Sequence, residues 1–220
     1  MNIRLVLFDL DGTLLDSLTD LHETVNEMLE HFGCRKITLE QARSYVGNGM
    51  KKLVERSLPD KLSEEDFSKR MDFFVERYAL NMKNHTKPYP DIIYVLKKLK
   101  NLGIKTAVVS NKNRTAVESL CKEHFGDLVD FAVGVDEKHL PKPEVSMALE
   151  AAGFFGVKAE QCVIVGDGET DIQTARNFGA KSIAALWGFR SRQTLEREKP
   201  DYFAQCPQEI LSILQKIIDL

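Results

Sequence analysis

The chain has 220 residues, a formal net charge of −3 and a hydrophobic content of 43%. This length accommodates one large domain, or a core domain with a smaller insert, and the composition is that of a globular protein. The charge gives no general attraction to nucleic acid or to an anionic membrane, and no apolar run reaches the roughly 20 residues of a membrane span. We therefore expect a cytoplasmic protein without nucleic-acid or membrane partners.

Hydrophobic periodicity predicts a short buried strand followed by a block of helices. Residues 3–8 form a β-branched and aromatic apolar run that is too short for a helix and ends at Asp9-Leu10-Asp11-Gly12. Apolar residues then recur at helical spacing through most of the segment 16–85. The helices predicted in this segment are 18–32, 38–45, 50–58 and 63–82.

After Pro88 and Pro90 the pattern changes to alternating strands and helices. Strands are predicted at 104–109, 131–135, 162–165 and 182–186, and helices at 92–102, 115–125, 143–152, 169–178 and 208–218. The helix 143–152 is expected to carry Pro143 in its first turn and to stop at Gly153. This alternation predicts a Rossmann-like α/β core, in which a parallel sheet is covered on both faces.

The first strand is too small to be a domain, so we expect it to pair with the later strands. The helical block then becomes an insertion. The sequence thus predicts a catalytic α/β core formed by residues 1–15 and 86–220, with an inserted α-helical cap at residues 16–85.

The strongest chemical signal is Asp9-Leu10-Asp11-Gly12-Thr13 at the end of the first strand. In extended backbone, Asp9 and Asp11 point the same way while Leu10 packs into the sheet. The carboxyl ends of parallel strands are where open α/β sheets bind ligands. Incidental acids in a solvated turn are the alternative, but two adjacent carboxylates after a buried strand are costly without a compensating cation.

A second acidic segment, Gly166-Asp167-Gly168-Glu169-Thr170-Asp171, follows the predicted strand 162–165. Acids also serve as caps at a helix N-terminus, so this segment alone leaves both interpretations open. Together with Asp9 and Asp11 it brings four carboxylates to one edge of the sheet, which requires a cation. No Cys or His residues have ligand spacing, and oxygen ligands favour Mg²⁺.

Two weaker signals come from the loops after other strands. Ser110 and Asn111 follow the strand 104–109 and offer a hydroxyl and backbone N–H donors to a phosphate, although both are ordinary turn residues. Lys142 lies between Pro141 and Pro143, just before a predicted helix. A lone lysine is usually a solvated surface charge, but this loop is expected at the ligand-binding edge.

These residues resemble the four motifs of the haloacid dehalogenase superfamily. Residues 8–17 look like its DxDGT signature, and Ser110, Lys142 and the pair Asp167 and Asp171 resemble the later motifs in the right order. The resemblance spans the whole chain, and residues 16–85 correspond to the helical cap of this superfamily. Within it, residues 45–58 and 187–190 look most like bacterial phosphoglycolate phosphatases.

The resemblance implies a Mg²⁺-dependent phosphomonoester hydrolase in which Asp9 attacks phosphorus and forms an aspartyl-phosphate. Asp11 is then the general acid that protonates the leaving alkoxide, and afterwards the base that activates water. The metal ligands would be Asp9, the Asp11 carbonyl and Asp167, with Asp171 orienting metal-bound water. The phosphate would be bound by Ser110, Asn111, Lys142 and Gly12.

The cap is expected to select the substrate, which the resemblance names as 2-phosphoglycolate. Gly47 and Asn48 begin a flexible loop that leads into a helix starting with Met50 and Lys51. We treat Gly47, Asn48 and Lys51 as candidate specificity residues. Lys51, Lys52 or Arg56 could hold a substrate carboxylate, although solvated charges on a helix are the simpler interpretation of each.

Other interpretations remain open at this point. The enzyme could act on pyrophosphate or a sugar phosphate, or it could be a sugar phosphomutase on the same core. A receiver-like phosphoacceptor domain or a non-catalytic binding protein would belong to a different class, which Asp11 and the cap-sized insertion disfavour. The sequence leaves monomer and homodimer undecided.

Overall fold

A computed structural model describes residues 2–219, with only the backbone of Asp219. Its strands are β1 (Leu5–Phe8), β2 (Leu15–Asp16), β3 (Lys87–Pro88), β4 (Lys105–Asn113), β5 (Phe131–Val135), β6 (Cys162–Gly166), β7 (Lys181–Ala185) and β8 (Tyr202–Ala204). Its helices are α1 (Leu18–His31), α2 (Leu39–Tyr45), α3 (Met50–Ser57), α4 (Glu64–Asn81), α5 (Ile92–Asn101), α6 (Arg114–His124), α7 (Ser146–Phe155), α8 (Glu169–Phe178), α9 (Arg192–Arg197) and α10 (Glu209–Asp219).

Six parallel strands form one sheet in the order β5-β4-β1-β6-β7-β8. The first strand therefore lies at the centre, with Leu5 beside Lys105 of β4 on one side and Cys162 of β6 on the other. Strands β4 and β5 lie on one side of β1, and the later strands β6, β7 and β8 lie on the opposite side. This reversal creates a crevice at the carboxyl ends of β1, β4 and β6, where such sheets bind ligands.

Both faces of the central strand are buried, which explains its uninterrupted apolar sequence. Val6 and Phe8 pack into a cluster that includes residues of α5, α6 and α10. Leu5 and Leu7 point to the other face, where residues of α7 and α8 cover them. The prediction of a Rossmann-like parallel α/β sheet is confirmed.

Helices α1–α4 lie between β1 and β3, in the segment predicted as an insertion. The short strands β2 and β3 pair antiparallel, with Leu15 opposite Pro88 and Asp16 opposite Lys87. This pair joins the chain where it enters the helical segment to the chain where it returns to the sheet. The exact division into core and cap remains a prediction.

The helix predicted at 143–152 is placed three residues too early, because α7 spans Ser146–Phe155. Pro143 and Glu144 instead lie in a turn in which the Glu144 N–H donates to the Pro141 carbonyl at 3.2 Å, and α7 begins only at Ser146. The helix also continues through Gly153, which is not among the glycines with the positive φ of a C-cap. It ends instead at Gly156, which has a φ of 61° suited to a glycine C-cap.

The pattern missed two short elements near the C-terminus, α9 and β8. The predicted strand 104–109 is also too short, because β4 extends to Asn113. Among the described residues, no helix is long and apolar enough to cross a membrane.

The linkers on either side of the helical segment are tied together by Asp20, whose side chain is buried. Its carboxylate accepts hydrogen bonds from the backbone N–H groups of His85 and Thr86, both at 2.9 Å, and from the Thr86 hydroxyl at 2.7 Å. Because a carboxylate satisfies three donors at once, its loss leaves buried donors without partners.

We therefore expect Asp20→Ala to lower the free energy of unfolding by about 2 to 3 kcal/mol, and the melting temperature by roughly 4 to 12 °C. Thermal unfolding followed by circular dichroism measures this effect. Asp72→Ala on the exposed face of α4 is the matched control and should change the melting temperature by at most roughly 2 °C. Equal stability of the two variants would contradict this role of Asp20.

Candidate active site

The turn after β1 brings the first acidic motif against the second. The backbone N–H of Asp9 donates to the Val165 carbonyl at 2.9 Å and so continues the pairing of β1 with β6, while Leu10 is fully buried. Gly12 has a φ of 91°, and a side chain at this position would overlap the carboxylate of Asp167. Glycine is therefore required here both by the backbone conformation and by the close approach.

Asp9, Asp167 and Asp171 each offer a carboxylate oxygen, and these oxygens lie within 4.8 Å of one another. Asp167 and Asp171 are buried, and the Asp9 side chain is 13% exposed. The ammonium nitrogen of Lys142 lies 2.6 Å from an oxygen of Asp9 and 2.6 Å from an oxygen of Asp171. The loop residues predicted from separate parts of the sequence thus form one cluster.

The charges in this cluster do not balance, because three carboxylates face a single ammonium. Burial, together with the neighbouring carboxylate of Asp171, raises the pKa of both Asp9 and Asp167. Burial alone would lower the pKa of Lys142, but the ion pairs with Asp171 and Asp9 raise it, so this group stays protonated. A set of oxygen donors with excess negative charge fits a hard divalent cation such as Mg²⁺.

Neighbouring groups fix the orientation of the two carboxylates from the second acidic segment. Asp167 accepts hydrogen bonds from the Thr13 hydroxyl at 3.0 Å and from the backbone N–H of Phe189 at 2.7 Å. Asp171 accepts one from the backbone N–H of Gly168 at 2.9 Å. In turn, the Trp187 indole donates to the Thr13 carbonyl at 2.9 Å, which ties the first turn to the loop after β7.

The Asp11 carboxylate lies apart from this cluster and has different partners. It accepts a hydrogen bond from the Ser17 hydroxyl at 2.5 Å and forms an ion pair of 3.1 Å with Lys112. Lys112 is itself buried and donates to the phenol oxygen of Tyr78, in α4, at 2.7 Å. Neither Lys112 nor Tyr78 was predicted from the sequence as a site residue. The position of Lys112, directly after Ser110-Asn111, was the available signal.

Ser110 lies in β4 and Asn111 follows it at the same edge of the sheet. The Asn111 side chain accepts the backbone N–H of Lys142 at 2.6 Å and donates to the Gly47 carbonyl at 3.4 Å. Asn111 therefore holds the Lys142 turn in place and contacts the loop between α2 and α3. The Ser110 hydroxyl oxygen accepts the backbone N–H of Lys112 at 3.3 Å.

A cavity of about 40 Å³ separates this edge of the sheet from the helical segment. We call it the cap–core cavity; its lining residues are Asp9, Asp11, Ser110, Asn111, Lys112 and Lys142 from the sheet side, and Leu21, Val46, Gly47, Gly49, Met50 and Leu53 from the helical side. The space is far smaller than the roughly 150 Å³ cavity that holds a benzene ring. Any phosphate ester, whether small or sugar-sized, has about as many heavy atoms as benzene or more and would therefore require the helical segment to move outward.

Of the candidate specificity residues, only Gly47 lines this cavity. Asn48 borders a different cavity beside Arg190 and Glu169. The ammonium of Lys51 lies 6.0 Å from the centre of the Phe67 ring, in a third cavity. The structure therefore brings neither Asn48 nor Lys51 to the acidic cluster.

Arg190, in the loop after β7, connects the sheet to the helical segment. Its guanidinium donates to the carbonyls of Arg43 at 3.2 Å and of Val46 at 2.5 Å, and it pairs with Glu169 at 2.9 Å. In the opposite direction, the Arg43 guanidinium donates to the Gly188 carbonyl, in the same loop as Arg190, at 3.4 Å. These polar contacts hold the loop that precedes α3 close to the cluster.

Comparison with known proteins agrees with this geometry. A model of the haloacid dehalogenase-like hydrolase family matches residues 6–185. A phosphoglycolate phosphatase of Aquifex aeolicus is 34% identical over 98% of this chain and 99% of its own length. One from Neisseria meningitidis is 33% identical over 97% of this chain and 94% of its own.

Among solved structures, a protein of Haemophilus somnus, described as a predicted phosphoglycolate phosphatase, has a TM-score of 0.90 with 27% identity. The match covers 97% of this chain and 99% of the Haemophilus somnus chain. The predictions of this fold and of an enzyme in the class of phosphoric monoester hydrolases are confirmed. The chain belongs to the haloacid dehalogenase-like hydrolase family.

Proposed function

We propose that the chain is a Mg²⁺-dependent phosphatase that hydrolyses 2-phosphoglycolate through an aspartyl-phosphate on Asp9. The observation that carries this proposal is the bridge of Lys142 between Asp9 and Asp171, 2.6 Å to each, beside the carboxylate of Asp167. This arrangement offers a carboxylate nucleophile, a fixed ammonium for phosphate oxygens and an oxygen donor set for a cation.

The residues that would hold Mg²⁺ are Asp9, Asp167 and the backbone carbonyl of Asp11, with Asp171 orienting metal-bound water. The excess of buried negative charge at Asp9, Asp167 and Asp171 supports this assignment. The ion supplies positive charge that offsets the repulsion between a carboxylate and a phosphate dianion.

In the first step, a carboxylate oxygen of Asp9 attacks phosphorus, and the bond from phosphorus to the ester oxygen breaks. The electron pair goes to the leaving alkoxide, which Asp11 protonates. In the second step Asp11 takes a proton from water, the water oxygen attacks phosphorus, and the bond to Asp9 breaks. Lys142 and Ser110 stabilise the phosphoryl oxygens in both steps, with Asn111 and Gly12 completing the phosphate site.

The names of the relatives support phosphoglycolate as the substrate, since the proteins of Aquifex aeolicus and Neisseria meningitidis are both phosphoglycolate phosphatases. A phosphatase for pyrophosphate or a sugar phosphate, and a sugar phosphomutase, are the alternatives that the activity test must separate.

We expect phosphate release from 2-phosphoglycolate to exceed release from pyrophosphate and sugar phosphates. Asp9→Asn should lower kcat by about 10³-fold or more because the amide cannot act as the nucleophile. A colorimetric phosphate assay with Mg²⁺, and with a chelator in its place, measures both effects.

The exposed variant Asp72→Asn is the matched control and should retain full activity. A preference for another ester would contradict the proposed substrate but not the proposed mechanism. Full activity in Asp9→Asn would contradict the mechanism itself.

Mg²⁺ binding should also become tighter as the pH rises. The raised pKa values of Asp9 and Asp167 mean that the folded protein holds protons that the unfolded chain has already released above about pH 4. Without metal, these two groups therefore lower stability as the pH rises through their folded pKa values. Because Mg²⁺ displaces the same protons, its stabilising effect grows over this range.

The measurement is the increase in melting temperature caused by Mg²⁺ at about pH 5 and at about pH 8. We expect a larger increase at the higher pH, and a much smaller one in Asp167→Asn at both. A metal-induced increase that is independent of pH and survives Asp167→Asn would place the cation elsewhere.

A further inference from the structure

The steps proposed above leave one charged residue of the cap–core cavity without a role. Lys112 lies in β4 and is 4% exposed, yet it lines the cavity beside Asp11. Its ammonium is 2.7 Å from the Tyr78 phenol oxygen, 3.1 Å from an Asp11 carboxylate oxygen and 4.4 Å from the centre of the Tyr78 ring. A buried lysine is costly unless its charge is compensated.

Lys112 stays charged in this position. Its ammonium forms an ion pair with the Asp11 carboxylate and donates a hydrogen bond to the Tyr78 phenol oxygen, and these contacts compensate its burial. Burial raises the pKa of Tyr78 to about 12, so its phenol remains neutral. An ammonium has three N–H donors, and these two partners account for two of them.

The residues that line the cavity contain one other ammonium, that of Lys142, which already bridges Asp9 and Asp171. The helical side contributes two glycines and apolar side chains, including Met50 and Leu53. A negatively charged group on the leaving group of a substrate would therefore pair with Lys112, on the sheet side of the cavity.

The basic residues of α3, considered earlier for this role, are engaged elsewhere. Lys52 pairs with Glu55 at 2.7 Å, and Arg56 donates to the Tyr45 carbonyl at 2.8 Å. Lys51 lies beside Phe67, outside the cap–core cavity. Their positions leave the cavity without a charge from the helical segment.

The chemistry of the leaving group matches this position. In 2-phosphoglycolate the carboxylate carbon is two bonds from the ester oxygen, and Asp11 must reach that oxygen to protonate it. A group within hydrogen-bond distance of Asp11 is therefore also close to the carboxylate. Lys112 is such a group. Its contact with Tyr78 of α4 means that the helical segment helps to orient it.

We propose that Lys112 is a specificity-determining residue that binds the carboxylate of the leaving group through its third N–H. This inference rests on the proposed function, because it assumes a carboxylate-bearing phosphate ester. It assigns recognition of the carboxylate to the sheet side of the cavity, while the helical side excludes larger groups.

The test compares kcat/KM for 2-phosphoglycolate with kcat/KM for 2-hydroxyethyl phosphate, which replaces the carboxylate with a neutral group of similar size. Lys112→Met should reduce the preference for 2-phosphoglycolate by roughly 30-fold or more, since a buried charged partner is lost. Lys112→Arg should retain part of the preference. Lys51→Met is the matched control and should leave it unchanged.

The ratio separates carboxylate binding from a purely structural role. If Lys112 only positions Asp11, both esters lose activity equally in Lys112→Met, and the proposal is overturned. If that variant does not fold, Lys112→Gln keeps hydrogen-bonding capacity for Asp11 and Tyr78, and the same ratio decides. A wild-type enzyme without preference between the esters would overturn both this inference and the proposed substrate. A preference that survives the loss of Lys112 would overturn the inference alone.

Discussion

The ammonium of Lys142 lies between the carboxylates of Asp9 and Asp171, and much of the fold is arranged to keep it there. Asp9 directly follows the central strand, Asp171 lies in the first turn of α8, and Lys142 lies in the turn before α7. One positive charge cannot balance these two carboxylates and Asp167 in a buried space. Such an imbalance of buried charge favours the binding of a further cation, and the proposed chemistry depends on it.

The close approach of the loops explains several residues that do not react. Gly12 and Gly188 leave room for the Asp167 carboxylate, and a side chain at either position would overlap it. Asn111 holds the backbone of Lys142, and Trp187 holds that of Thr13. These contacts fix the orientation of the charged groups before a substrate arrives, which is what electrostatic stabilisation of a transition state requires.

Polar contacts around the cavity join the helical segment to the sheet, in addition to the apolar cluster that residues of both share. Arg190 binds the carbonyls of Arg43 and Val46, Asn111 binds that of Gly47, and Lys112 binds Tyr78. The helical segment is thus joined to the sheet both by exchangeable hydrogen bonds and by apolar packing, and an outward movement of the segment would have to break both.

The sequence predicted the central strand, most helices and the convergence of the acidic motifs, because buried strands and amphipathic helices have strong periodic patterns. It placed α7 wrongly, since Pro143 is suited equally to a helical first turn and to the turn that precedes Ser146. It missed Lys112 and predicted no role for Arg190 within the segment 187–190, because the contacts of both are with residues far along the chain, such as Tyr78 and Val46. Such contacts leave no local pattern in the sequence.

If Asp9 becomes phosphorylated during turnover, the aspartyl-phosphate can be trapped chemically. Borohydride reduces an aspartyl-phosphate to homoserine, so enzyme quenched during turnover of 2-phosphoglycolate can be reduced, digested and analysed by peptide mass spectrometry. We expect homoserine at residue 9, formed only when both Mg²⁺ and substrate are present. Turnover without modification at residue 9, or with modification at another aspartate, would contradict it.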